Sequence, residues 1–114
     1  MRGAQVALLG ALAWRFNELR QRLDEHLEDN RQEILPHVLM SDYERWAEAA
    51  LEQGEPKLQD FLDALEDAYR TGGAEVEELI SVSFLEHLPR PGEPQSQLRD
   101  LVGPTLRRQL DVIG

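Results

Sequence analysis

The chain has 114 residues, of which 41% are hydrophobic and 30% are charged, a balance typical of one globular domain and unlike a disordered tail. It contains no cysteine, which excludes disulfide bonds, thiolate zinc sites and a thiol nucleophile. The net charge of −10 at pH 7 disfavours nucleic acid and anionic membranes as partners, because like charges repel.

The first predicted element is one long helix over residues 4–30. Apolar side chains recur there every three or four residues, which is the spacing of one helix face. They are Leu9, Leu12, Phe16, Leu19, Leu23 and Leu27. A helix of that length spans about 40 Å, more than the diameter of a domain this small. We therefore expect one end to overhang, and a homodimer through this N-terminal helix stays open.

The start of this helix argues against a leader peptide and against a membrane span. Gln5 interrupts the apolar run, and the apolar pattern continues past Trp14 at helical spacing, whereas a leader has an unbroken apolar region before its cleavage site. No stretch of the sequence reaches the roughly 20 apolar residues that cross a bilayer. We expect a cytoplasmic protein without membrane contact.

A connector and a second helix follow. Residues 30–40 form the predicted connector, because Pro36 does not fit comfortably inside a helix. Ser41 is the predicted N-cap of the second helix, with Glu44 three residues later in the spacing of a capping box. Gly54 ends this helix.

A third helix is predicted over residues 56–71, where the Gly72-Gly73 pair ends it. Residues 80–84 alternate between apolar and polar in the manner of a strand. No second strand is predicted with which they could pair. We therefore expect a fourth helix from residue 74 to about residue 87.

The last predicted helix covers residues 95–111 and has a kink at Gly103-Pro104. Together these elements predict an all-α fold in a single helical domain over residues 1–114. Its architecture is a bundle of about five helices with a long N-terminal helix.

The sequence shows no recognisable arrangement of nucleophiles, metal ligands or phosphate-binding residues. The histidines lie in different predicted elements, without the paired spacing that metal ligands need; they are His26, His37 and His87. No serine occupies a Gly-x-Ser-x-Gly turn, and Lys57, the single lysine, does not follow a glycine-rich loop. We expect no catalytic residue, no metal site and no cofactor. The one enzymatic alternative is an enzyme that uses carboxylates from separate parts of the sequence.

Four large aromatic residues could belong either to the core or to a binding surface, because Tyr and Trp are enriched at binding hot spots. They are Trp14, Tyr43, Trp46 and Tyr69. Helical spacing favours the core for such residues, and Trp46 shares one helix face with Tyr43. Trp14 lies between two positions of the leucine-rich face, so either placement stays open for it.

The negative charge is concentrated in one part of the chain. Residues 42–86 hold thirteen acidic and three basic residues, and the flanking segments nearly balance. Such a field attracts basic proteins, although many acidic surfaces serve only solubility. We predict an acidic face that contacts a basic partner protein, and its residues are Asp60, Asp63, Glu66, Asp67, Glu75, Glu77 and Glu78.

Parts of the sequence resemble a family of short uncharacterised bacterial all-helical proteins, which are similar to immunity proteins of toxin–immunity systems. The likeness rests on the apolar segments 34–40 and 80–89 and on the helix with Tyr43 and Trp46, and it covers roughly residues 30–110. It implies a cytoplasmic antitoxin that neutralises a toxin by binding. The alternative is a self-associating structural helical protein without a toxin partner.

Overall fold

The computed structural model describes residues 3–113, and all of the regular structure in that range is helical. The elements are α1 (Gly3–Arg15), α2 (Asn17–Asp29), α3 (Pro36–Gln53), α4 (Leu58–Thr71), α5 (Ala74–Ser83), a 3-10 turn (Leu85–His87), α6 (Leu98–Leu101) and α7 (Pro104–Ile113). The predicted all-α class is confirmed. The helices outnumber the five expected because the first and the last predicted helices are each divided in two.

The prediction of one long N-terminal helix is wrong, because the chain bends at Phe16. Phe16 has an extended backbone, with φ of −120° and ψ of 109°, and its buried ring packs edge-to-face on Phe61 with centroids 6.0 Å apart. Leu9, Leu12 and Leu19 are buried on either side of the bend. The leucine-rich face therefore lies in the core of its own chain, and the homodimer that it suggested stays a prediction.

The second helix begins earlier than the capping-box pattern predicted. Pro36 is the first residue of α3, a position where its fixed φ suits a helix and its missing N–H leaves no donor unpaired. The side chain of Ser41 lies inside the helix and donates to the carbonyl oxygen of His37 at 2.8 Å. Before the helix, Nε2 of His26 accepts the N–H of Leu35 at 2.9 Å. A side chain of α2 thus binds the backbone just before α3 begins.

The fourth predicted helix is confirmed, with a change of pitch near its end. α5 runs to Ser83 and is followed by the 3-10 turn, so residues 80–84 form no strand. The predicted kink at Gly103-Pro104 is a complete break between α6 and α7. None of the helices in residues 3–113 is long and apolar enough to cross a membrane.

Phe61 lies at the centre of the core. Its ring is fully buried and contacts three other aromatic rings: Phe16 at 6.0 Å, Trp46 at 5.3 Å and Phe84 at 5.8 Å between centroids. Each neighbour comes from a different part of the chain. The pairs with Phe16 and Trp46 are edge-to-face, an arrangement that contributes beyond the buried area. The cluster thus joins the α1–α2 bend, α3, α4 and the end of α5.

Tyr43 and Trp46 are core residues, as their spacing predicted. The Tyr43 hydroxyl donates to the carbonyl oxygen of Leu9 at 3.0 Å, which joins α3 to α1, and burial raises the pKa of this hydroxyl. Trp14 has the opposite placement, because it is 80% exposed. The guanidinium of Arg20 lies over its ring, 5.4 Å from the centroid.

Candidate functional site

Three aspartates of the predicted acidic face form one exposed row on α4. Asp60, Asp63 and Asp67 all lie opposite the buried side of this helix, and at 100° per residue they span about 60° of its circumference. Gln59 donates to Asp63 at 3.0 Å, and Arg70 lies 3.6 Å from Asp67. Most of this charge therefore faces solvent.

The glutamates of α5 extend this exposed charge. Glu77 and Glu78 are exposed, and Glu78 contacts Nε2 of His37 at 3.2 Å. Glu75 is half-buried, and its carbonyl oxygen accepts the side-chain amide of Gln5 at 2.8 Å. One of its carboxylate oxygens is buried and has no hydrogen-bond partner among the residues that the structure describes. We define the α4–α5 face as the five exposed acidic residues of these helices: Asp60, Asp63, Asp67, Glu77 and Glu78.

Glu66 has a different environment from the other residues of the predicted face. It is 8% exposed, and its two carboxylate oxygens accept the backbone N–H groups of Thr105 at 3.1 Å and of Leu106 at 3.0 Å. These N–H groups belong to the first turn of α7, where helices have unpaired donors. Glu66 is therefore an N-cap supplied by another helix, and both of its oxygens are occupied.

The cap explains why a glycine lies at the break between α6 and α7. A Cβ added to Gly103 would lie 2.6 Å from Cδ of Glu66, so only glycine lets the carboxylate approach the helix end. Burial raises the pKa of Glu66, but the hydrogen bonds from Leu106 and Thr105 outweigh this effect and hold the pKa below its usual range. The charged form is thus the one that the fold stabilises.

Glu44 is a buried carboxyl group, although its spacing from Ser41 predicted only a role in a capping box. It is 2% exposed, and Oε2 of Glu44 has no hydrogen-bond partner among residues 3–113. Burial raises its pKa to about 9, and a hydrogen bond to Glu48 and the charge of Glu48 add to the rise. No sequence signal marked it, because its burial depends on how α3 packs.

His37, Ser83 and Glu78 form a hydrogen-bonded row between α3 and α5. Nδ1 of His37 lies 2.6 Å from the Ser83 hydroxyl, and Nε2 lies 3.2 Å from Glu78. Serine, histidine and a carboxylate are the groups of a nucleophilic triad. Ser83 is only 2% exposed, however, so its hydroxyl cannot reach a substrate. These hydrogen bonds link α3 to α5.

A polar depression lies between α2 and α3, and we call it the α2–α3 groove. Its volume is about 420 Å³. Acidic side chains of both helices and of the following loop surround it, together with Arg22 and with Trp46 and small alanines. The acidic lining residues are Glu18, Glu25, Asp42 and Glu55. This arrangement can hold a positively charged group.

The described part of the chain shows no cluster suited to a metal. Among residues 3–113, no three histidine, aspartate or glutamate side chains lie close enough together to hold an ion. The three histidines also have separate environments: His26 and His37 make the contacts given above, and His87 is exposed in the 3-10 turn.

Fold and surface together define a small all-helical protein with an acidic exterior and an acidic groove. The chain belongs to the family described as a domain of unknown function (DUF7674), which matches residues 10–112. No curated protein and no solved structure matches the chain. The family description carries no function, so the resemblance to immunity proteins draws no support from this match.

Proposed function

We propose that this chain is a protein-binding module that attaches to a basic partner protein through the α4–α5 face. The observation that carries the proposal is the exposed row of Asp60, Asp63 and Asp67 on α4, together with exposed Glu77 and Glu78 on α5. On α4 and α5 five exposed acidic residues stand against one exposed basic residue, Arg70. A one-sign surface of this kind accelerates encounter with a partner of opposite charge.

A toxin is the specific partner that the sequence resemblance adds to this proposal. In that form, the chain neutralises the toxin by covering its basic surface, and it needs no catalytic group of its own. The buried hydroxyl of Ser83 is consistent with a function that depends on binding.

Charge-neutralised variants test the proposal. The test variant carries Asp60→Asn, Asp63→Asn, Asp67→Asn and Glu77→Gln, none of which caps a helix. The control variant removes four exposed carboxylates elsewhere, through Asp24→Asn, Glu28→Gln, Glu33→Gln and Glu52→Gln. Wild-type protein and control should capture the same basic protein from the source cell. The test variant should associate at least about tenfold more slowly, because complementary charge acts mainly on association rate.

The matched charge change makes this experiment decisive. Both variants have the same net charge, so a difference between them reports the location of the charge. Equal association rates for the two variants would contradict the proposed face. A partner without basic character would contradict the electrostatic argument.

Self-association is a second candidate, and one observation favours it. Trp14 is 80% exposed on α1, whose other exposed positions before Arg15 carry only small uncharged residues: Gly3, Ala4, Ala7 and Ala11. Exposed aromatic residues are frequent interface anchors. If this face joins two copies, light scattering should give a dimer mass for the wild type and a monomer mass for Trp14→Ser. A monomeric wild type at high concentration would exclude it.

A further inference from the structure

The loop over residues 30–35, which joins α2 to α3, has a strained backbone. Arg31 and Gln32 have φ of 56° and 65°, a left-handed conformation that residues other than glycine and asparagine rarely adopt and that costs free energy. Both side chains are exposed, so they bury no surface that would offset this cost. Such a conformation persists only where surrounding contacts hold it.

The side chain of His26 supplies one of these contacts. Its Nε2 accepts the backbone N–H of Leu35 at 2.9 Å, and the residue is only 7% exposed. Within residues 3–113, this is the one side-chain hydrogen bond from α2 to the backbone of residues 31–35. The N–H of Gln32 donates to the carbonyl oxygen of Leu27 at 2.7 Å and fixes the start of the loop, so the imidazole fixes its end.

The contact requires a neutral ring. A neutral imidazole has one nitrogen that accepts and one that carries a proton, so acceptance at Nε2 places the proton of His26 on Nδ1. A protonated imidazole donates from both nitrogens. Its Nε2–H would then face the N–H of Leu35, and two donors 2.9 Å apart repel each other. Protonation therefore replaces a hydrogen bond by a repulsive contact.

The charged side chains around His26 do not reverse this effect. Five of them, from α2 and α3, line the depression beside the ring: Arg22, Glu25, Asp29, Asp42 and Arg45. Asp42 is paired with both arginines, at 2.7 Å and 3.2 Å. Glu25 and Asp29 are exposed, so solvent screens their attraction for a charged ring.

The loop and the helix ends contribute opposing charges. Arg31 and Glu33 in the loop are both exposed and have opposite signs. His26 lies in the last turn of α2, which attracts a cation, and it contacts the residue before α3, whose N-terminal end repels one. The hydrogen bond to Leu35 therefore decides the sign of the effect.

We propose that His26 is an acid-sensitive contact that holds the 30–35 loop when its ring is neutral and releases the loop when its ring is protonated. Histidine is the side chain whose charge ordinarily changes between pH 5 and 8, which makes a proton the effector of this contact. The strained conformation of Arg31 and Gln32 favours local release, while the aromatic cluster around Phe61 keeps the rest of the chain folded. The inference goes beyond the proposed function, because no residue of the α4–α5 face takes part in it.

Limited proteolysis of the full chain with trypsin measures the release. Trypsin cleaves after Arg31, inside the loop, and after Arg45, in the middle of α3, where cleavage requires wider unfolding. Each rate is divided by the rate for a synthetic peptide of the same sequence, residues 28–35 or 42–49, which cancels the pH dependence of the protease. Between pH 7.5 and pH 5.5, cleavage after Arg31 should rise at least about fivefold, the factor that corresponds to the loss of one hydrogen bond. Cleavage after Arg45 should stay nearly constant.

Two single variants form a matched pair. His26→Gln places an amide oxygen near the position of Nε2, so the loop keeps an acceptor that does not titrate, and its cleavage should respond to pH no more than that after Arg45. His87→Gln removes an exposed histidine instead and should show the rise of the wild type.

A second measurement needs no substitution. In an NMR titration of the wild type from pH 8 to pH 5, the backbone amide of Leu35 should shift with the same midpoint as the ring of His26, because the two are hydrogen-bonded. An amide that does not respond while the ring titrates would overturn the proposal.

Three outcomes of the proteolysis would also overturn it. They are equal cleavage after Arg31 at the two pH values in the wild type, equal rises after Arg31 and Arg45, and the same rise in His26→Gln as in the wild type. The proposed function depends instead on the association rate of the α4–α5 variant with the captured partner, so either can fail while the other holds.

Discussion

Glu66 and Glu44 are the two buried glutamates of the described chain, and their environments are opposite. Glu66 has an N–H donor on each oxygen at the start of α7, so its pKa lies below the usual value even though burial acts to raise it. Within residues 3–113, Glu44 has no such donors and one of its oxygens has no partner. It lies beside Glu48, and its pKa rises to about 9.

This difference shows that burial alone does not decide whether a carboxyl group stabilises a fold. Desolvation penalises the charged form in both places, but oriented N–H donors can exceed that penalty. At the α4–α7 junction the charge is therefore part of the architecture. On α3 the fold tolerates a carboxyl group that it keeps protonated, which lowers stability wherever the unfolded chain would ionise.

The largest effect is expected when the Glu66 cap is removed. Glu66→Ala leaves two N–H groups at the buried start of α7 without acceptors, and we expect a loss of about 2–4 kcal/mol in the free energy of unfolding. Urea unfolding at pH 7 measures it. Glu66→Gln, which keeps one acceptor oxygen, should lose less. A loss under about 0.5 kcal/mol, the size of an ordinary surface change, would contradict the capping role.

The pH dependence of this loss follows from the direction of the shift. Because the folded pKa of Glu66 lies below its usual value of 4.5, its contribution is present above that value. The contribution disappears as the pH falls through the lower folded pKa. The difference between wild type and Glu66→Ala should therefore be constant near neutrality and shrink in acid.

Gly103→Ala should be the next most damaging change. The new Cβ would lie 2.6 Å from the Glu66 side chain, so the carboxylate would have to leave its donors, at a cost of about 1–3 kcal/mol. A double-mutant cycle by chemical unfolding checks the cause. In a Glu66→Ala background the clash is gone, so the cost of Gly103→Ala should fall by more than half. An unchanged cost would place the strain elsewhere.

Glu44→Met should raise the free energy of unfolding, whereas the two preceding changes lower it. The folded pKa of about 9 lies above the usual glutamate value of 4.5. Wild-type stability therefore falls as the pH rises from 4.5 towards 9, because the unfolded chain ionises while the folded one holds its proton. We expect Glu44→Met to gain about 1 kcal/mol at pH 8 and to gain less at pH 4. Unfolding curves at the two pH values measure this. A loss at pH 8 would contradict the destabilising effect of the buried carboxyl group.

The features predicted correctly from the sequence are the ones that depend on local periodicity. The spacing of Phe61, Leu62 and Leu65 specified α4 and its buried side, and the same spacing placed Tyr43 and Trp46 in the core. The exposed aspartates follow from that assignment, because they occupy the remaining positions of the helix.

The features that were missed depend on contacts between distant residues. Phe16 fits the periodicity of a continuous helix, and the bend there accompanies its packing against Phe61. Ser41 fits a capping box, but Pro36 and His26 together fix an earlier start. Nothing local connects Glu66 to Gly103, although the sequence did predict a kink at Gly103-Pro104. The α2–α3 groove likewise exists only once two helices have packed.

Asp67→Asn should have the smallest effect on stability. It tests whether the stabilisation by Glu66 comes from its contacts or only from its charge. Asp67 is the chain neighbour of Glu66, with the same charge on the same helix, yet its side chain is 76% exposed and its ion pair with Arg70 measures 3.6 Å. Exposed pairs of this kind contribute at most a few tenths of a kcal/mol, so stability at pH 7 should change by less than about 0.5 kcal/mol. Urea unfolding beside Glu66→Ala measures both variants under one condition. Comparable losses would mean that net charge on α4, rather than the pair of N–H donors on Glu66, stabilises this helix.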